Sequence, residues 1–247
     1  MSGISPLRSP GFAYRLQGPL PLLLNHLCLL GEGTLILRQE GLSLAKAGPF
    51  GLCVADGRHG WSLLRDAISG LETDLQFTRH VYLLPDPDDG VPVFATAGQS
   101  GVIDLSVRLH EHHWQSRAIR AVIDSCDGIP IDARNGRKLG AGAWLDDWQA
   151  SPPAAITHRL EILAALDACR CLEVELHSPL HRCVAAFRPA FLDSDGSVIR
   201  IADASRKHVV FADVATPGFR WQSLAPGHLK IRVESESHAA QMVIPAA

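Results

Sequence analysis

Ile156-Thr-His-Arg-Leu-Glu-Ile-Leu-Ala-Ala-Leu-Asp-Ala-Cys-Arg-Cys-Leu-Glu-Val-Glu-Leu176 carries two readings in one run. Ile156, Leu160, Leu163, Ala164, Leu166 and Ala168 recur at helical spacing, which predicts a helix to Cys169, and Leu172 to Leu176 reads as a strand. Four more strand-like segments follow, at Cys183 to Phe187, Val198 to Ile201, Val209 to Val214 and Leu229 to Val233. Upstream, Leu20 to Leu30 and Trp61 to Leu71 have helical spacing. Thr34 to Arg38, Phe50 to Ala55, Leu75 to Thr78, Val81 to Leu84 and Gly101 to Leu109 read as strands. Ile119 to Ile123 and Ile129 to Ile131 flank Asp127-Gly128 like the arms of a hairpin, and Trp144 to Trp148 reads as a short helix. The class is therefore α+β, with antiparallel sheets carrying helices on one face.

Residues 1–19, rich in Ser, Pro and Gly, are expected to form a loose lead-in. Ser151-Pro152-Pro153 marks a boundary between a first half, 20–150, and a second, 151–247. A shift of about 97 positions sets Leu63, Ala67, Leu75, Phe77 and His80 on Leu160, Ala164, Leu172, Val174 and His177, so the expectation is two similar α+β halves.

The 247 residues are 47% hydrophobic and 20% charged with a net charge of -3, a balance that argues against disorder and against a dedicated nucleic-acid binder. No apolar run approaches the ~18 residues of a membrane span. The six cysteines are scattered without redox or zinc spacing and read as small buried hydrophobes in a cytoplasmic protein. Nucleotide-binding glycine motifs and the hydrolase nucleophile motif are absent. Histidine is abundant, at twelve residues. His110, Glu111, His112 and His113 form the densest ionisable cluster, without zincin spacing. On a strand, His110 and His112 share a face and would present two imidazoles to a metal, or simply mark a solvated strand end. His177 and His181 flank Ser178-Pro179, either as metal ligands or as parts of an ordinary loop.

Three segments resemble the cytoplasmic hemin-degrading and hemin-trafficking family. They are Trp61 to Arg79, ending in Thr78-Arg79, Ile103-Asp-Leu-Ser-Val-Arg-Leu-His-Glu-His-His-Trp114, and Ile119 to Ile131 with its Asp then Gly turn. The His-Glu pair that the family carries after its Thr-Arg is missing here. The resemblance implies a haem-binding protein of bacterial iron acquisition, either a carrier or an enzyme opening the macrocycle, with hemin as partner; a homodimer is the expected assembly. It puts the axial ligand at His158, just past the Pro-Pro break, with His112 next in line. A haem site also needs cations for the propionates, for which Arg79, Arg108 and Arg182 are candidates. The competing reading is a regulatory or ligand-sensing module, because Cys171 to Val214 loosely resembles the small β-barrel sensors called WYL.

Overall fold

The computed structural model describes residues 12–18, 20–39, 41–55, 63–66, 68–74, 80–86, 89–98, 103–110, 113–132, 156–177, 181–216 and 219–233. The chain starts with β1 (Phe12–Leu16), α1 (Leu20–Leu29) and the hairpin β2 (Glu32–Gln39) and β3 (Leu42–Pro49). Then come β4 (Cys53–Ala55), β5 (Leu63–Asp66), β6 (Leu71–Asp74), β7 (His80–Pro85), β8 (Pro92–Ala97) and β9 (Ile103–Arg108). After α2 (Arg117–Ser125), β10 (Ile129–Asp132) and α3 (Ile156–Asp167) follow β11 (Cys171–His177), β12 (His181–Phe187), β13 (Phe191–Asp195), β14 (Val198–Ala202) and β15 (His208–Asp213). The strands β16 (Phe219–Ala225) and β17 (His228–Val233) complete the described elements.

A ten-stranded sheet runs β10-β1-β7-β8-β9-β2-β3-β15-β14-β13, and a seven-stranded sheet runs β16-β17-β11-β12-β6-β5-β4. Among the described residues every ladder is antiparallel except β11 with β17, so the α+β class holds. The two sheets meet where β11 lies against β2 and β3. One core cluster joins them, with Leu35, Leu37 and Leu44 from the hairpin of one sheet and Leu172, Val174 and Leu176 from the other, all fully buried. Each such side chain contributes about 1.5–3 kcal/mol on leaving water. Leu23, Leu24 and Leu27 of α1, Ile119 and Val122 of α2, and Ile162 and Leu166 of α3 supply the helical side of that core. Cys126, Cys169 and Cys183 are buried in it as small hydrophobes, and burial pushes the Cys183 thiol up to about 11.

Helix, hairpin and three further strands occur twice, as α1 with β2 to β6 and as α3 with β11 to β15, and in each case the three strands join the other hairpin's sheet. The registers coincide as well. Leu44 pairs with Val210, and Cys183, 139 positions after Leu44, pairs with Leu71, the same 139 positions before Val210. This exchange corrects the expectation that each half owns a sheet. It also corrects the 97-position shift, which sets Leu63 of strand β5 on Leu160 of helix α3. Cys171 to Val214 does not close as a separate barrel either, since β11 and β12 lie in one sheet and β13 to β15 in the other.

Local corrections have local causes. The helix expected over Trp61 to Leu71 is instead the hairpin β5–β6, because the Asp66 carboxylate accepts from the Ile68 amide at 2.8 Å and the Ser69 hydroxyl at 2.6 Å. Gly70, at φ +72°, then reverses the chain. Ile119 to Ile123 is helix, not strand, and Ile119, Val122, Ile123 and Cys126 line its inner side. Ser116 caps that helix through the Ile119 amide, and Asp127 (φ 44°) ends it with Gly128 donating back to the Ile123 carbonyl at 2.9 Å. Phe12–Leu16 lies within the segment expected to be loose, yet it pairs with β7 and β10, with Ala13 and Leu16 buried. The strand expected at Leu75 to Thr78, the helix at Trp144 to Trp148 and the boundary at residues 151–153 lie outside the described residues.

Candidate functional site

Of the expected site residues, Arg108 and His110 stand together at the end of β9. The Arg108 guanidinium pairs through Nη2 with Asp89, while its Nε lies 3.3 Å from the buried Asp86 carboxylate. Two carboxylates from the β7–β8 turn thus already match its charge. His110 shares a 2.6 Å hydrogen bond between Nε2 and the Thr34 hydroxyl at the start of β2. Burial, followed by the adjacent Arg108 charge, lowers the His110 pKa, so the imidazole is neutral near pH 7. Trp114 Nε1 donates to the Gly90 carbonyl at 2.8 Å and its ring stacks on Tyr14. His112 and Arg79 lie outside the described residues. His158 is placed on the first turn of α3.

Arg182 is likewise committed. Its Nη1 and Nη2 reach Glu72 and Glu175 at 3.0 and 2.8 Å across the outer face of β6, β12 and β11. Burial alone would raise the Glu175 carboxyl, but hydrogen bonds from Lys230, His177 and Arg182 outweigh it and hold the group far below the usual carboxylate range. His177 and His181 do not converge on a metal. The first bonds Glu175 at 2.7 Å, whereas His181 is buried with its Nδ1 and Nε2 against the hydroxyls of Thr73 (2.9 Å) and Thr96 (2.6 Å). Among the described residues no three His, Cys, Asp or Glu side chains are grouped to hold an ion.

A different place has the geometry of a ligand site. Where β12 runs out and the β14–β15 hairpin turns, a cleft of about 560 Å³ opens between Phe187, Arg188, Pro189, Asp203, Ser205 and His208. That volume falls within the ~300–1,000 Å³ usual for small-molecule pockets. The turn is closed by Asp203 N–H donating to the His208 carbonyl (3.2 Å) and by Arg206 at φ 56°. The Asp203 carboxylate accepts from the His208 amide (3.3 Å), from His208 Nδ1 (3.0 Å) and from the Ser205 hydroxyl (2.9 Å). Burial opposes ionisation of Asp203, and the bonds from His208 and Ser205 overcome it, holding its carboxyl below the ordinary value. The His208 ring stacks on Phe187 at 5.3 Å with planes 9° apart. Sequence reading missed this pair. Its one signal was the stretch Asp203-Ala-Ser-Arg-Lys-His208, in which an aspartate opens a tight turn and a histidine begins the next strand.

No protein-family model and no curated protein matches the sequence. Solved structures do match. The fold resembles that of PhuS and ChuS. The crystal structure of apo-PhuS, a heme-binding protein from Pseudomonas aeruginosa, superposes with a TM-score of 0.58 over 83% of this chain and 72% of that one, at 14% identity. Holo-PhuS gives 0.58 over 86% and 73%, also at 14% identity. ChuS, an E. coli heme oxygenase, gives 0.56 over 81% and 71%, at 12% identity. At such identity the likeness establishes the fold, which carries no function by itself. No helix among the described residues is long and apolar enough to cross a membrane.

Proposed function

We propose that this chain binds haem, as a hemin carrier or a haem-degrading enzyme of bacterial iron acquisition working in the cytoplasm. The observation that carries the proposal is the likeness of fold to a heme-binding protein and a heme oxygenase over more than four-fifths of the chain. The segments between Trp61 and Ile131 point the same way from sequence alone. The residues present fit the group. The cleft has room for a flat ligand, Phe187 and Pro189 give it an apolar wall, Arg188 adds a cation for a propionate, and His208 adds an imidazole. The family resemblance offers His158 on the first turn of α3 as an alternative axial ligand, with Arg79 as a propionate partner. Arg108 is a weaker candidate because Asp86 and Asp89 already hold it.

Titration of the purified protein with hemin is the test. The expected result is a shifted Soret band that saturates near one equivalent; an unshifted spectrum at every ratio sinks the proposal. Once hemin is bound, adding a reductant under air divides the two forms of the reading, because only an enzyme gives progressive loss of that band.

A further inference from the structure

We infer that His208, oriented by Asp203, is the side chain through which this protein ligates haem iron, in the cleft beside Phe187. The inference rests on the haem-binding reading and specifies its ligand. An imidazole binds iron through the lone pair of its unprotonated nitrogen, so a good ligand keeps its proton on the other nitrogen and its ring in one orientation. Both conditions are met at His208. The ionised Asp203 accepts only, so Nδ1 carries the proton in the 3.0 Å contact, and in the neutral form of the ring the lone pair is on Nε2. Phe187 fixes the plane of the ring and the Asp203 bond fixes its rotation within that plane.

Nε2 has no hydrogen-bond partner among the described residues, and it is not among their buried unpaired atoms, so it is open to solvent on a residue that lines the cleft. The other described histidines with known partners are occupied differently. Nε2 of His110 is taken by Thr34, Nε2 of His177 by Glu175, Nε2 of His26 by Ser125, and both nitrogens of His181 by threonines. Among the described residues only His208 combines a carboxylate on Nδ1, an unbonded Nε2 and a place in the lining of a cleft. Arg188, exposed on the same cleft with no ion-pair partner among the described residues, stands ready for a carboxylate of the ligand.

The alternative ligand, His158, lies nine residues from the end of α3, the helix that leads into β11. His158 and His208 belong to different elements, α3 and β15, so single substitutions tell them apart.

Hemin titrations of wild type, His208→Gly, His208→Ala, Asp203→Asn and His158→Ala, each first checked by circular dichroism, decide the matter. The expected result is that both His208 variants bind hemin at least about 10-fold more weakly with an altered Soret band. Free imidazole should restore the wild-type band in His208→Gly, which a misfolded variant could not do. Asp203→Asn should keep the ligand but lower affinity about 10-fold, as lost outer-shell support does elsewhere, and His158→Ala should leave the spectrum unchanged. A wild-type spectrum retained in both His208 variants overturns the assignment while leaving haem binding intact, as does its loss in His158→Ala alone. Absence of any shift in the wild type overturns both readings together.

Discussion

The corner where β3 leads to the β5–β6 hairpin and the corner where β12 leads to the β14–β15 hairpin are built on one plan and put to different ends. Each hairpin turns on an aspartate that takes a backbone amide and a serine hydroxyl: Asp66 with Ile68 and Ser69, and Asp203 with His208 and Ser205. In the first corner Asp66 also accepts from Gly51 at 3.1 Å, and it is only 2% exposed. A side chain at Gly51 would strike it, since an added Cβ would come within 2.6 Å of Oδ1. Phe50 is buried beside Gly33 and closes the space. In the second corner the residue 139 positions after Phe50 is Pro189, too short to reach inward, and the turn supplies the His208 ring in place of a second backbone donor. The first corner is sealed and serves stability. The second stays open as a cleft of about 560 Å³.

That contrast can be broken by substitution. Phe50→Ala should destabilise the fold by about 3–5 kcal/mol in urea unfolding, the range for a buried phenylalanine, whereas Pro189→Ala should stay within about 1 kcal/mol. Equal losses would mean that the second corner is sealed as well. Asp66→Ala, which strands two amides and a hydroxyl in the interior, should cost about 2–4 kcal/mol. A control touching neither corner is Glu175→Gln on the outer face of β11, with an expected loss of about 1–3 kcal/mol at pH 7 from weakened bonds to Lys230, His177 and Arg182. Because the folded state depresses this carboxyl, its stabilisation is complete above the unfolded glutamate value near ~4.3 and fades as pH falls toward the lower folded value. A gap between wild type and variant that widens on acidification would contradict the network.

The smallest effect belongs to the open corner. Asp203→Asn should cost only about 0.5–1.5 kcal/mol. Its carboxyl too is held low, so the difference from wild type is present above the unfolded aspartate value of ~3.9 and closes below it. A cost as large as that of Asp66→Ala would show that Asp203 is structural.

Much of the fold can be read from the chain because apolar periodicity survives packing. Leu20 to Leu30, Ile156 to Cys169, Thr34 to Arg38 and Leu172 to Leu176 place their core residues at the spacing of the element they form. Trp61 to Leu71 misleads because five apolar residues mimic a helix while a buried aspartate and a left-handed glycine impose a turn. The exchange of strands between sheets has no local signature, since it is set by which hairpin edge each three-strand unit covers. Site residues follow the same rule. Arg108 and Arg182 look like free cations until nonlocal carboxylates arrive beside them, and Glu72 is 110 positions from Arg182. His208 looks like an ordinary strand start until the turn folds Asp203 against it.

The central claim is that the open corner holds the porphyrin. Its most direct test is an amide NMR titration of the isotope-labelled protein with gallium protoporphyrin, a diamagnetic stand-in for hemin. Shifts concentrated at Phe187, Arg188 and Ala190 and at Asp203 to His208, with the Phe50 and Asp66 amides unmoved, are the predicted result. Shifts confined to the first turn of α3, or none at all, would contradict it.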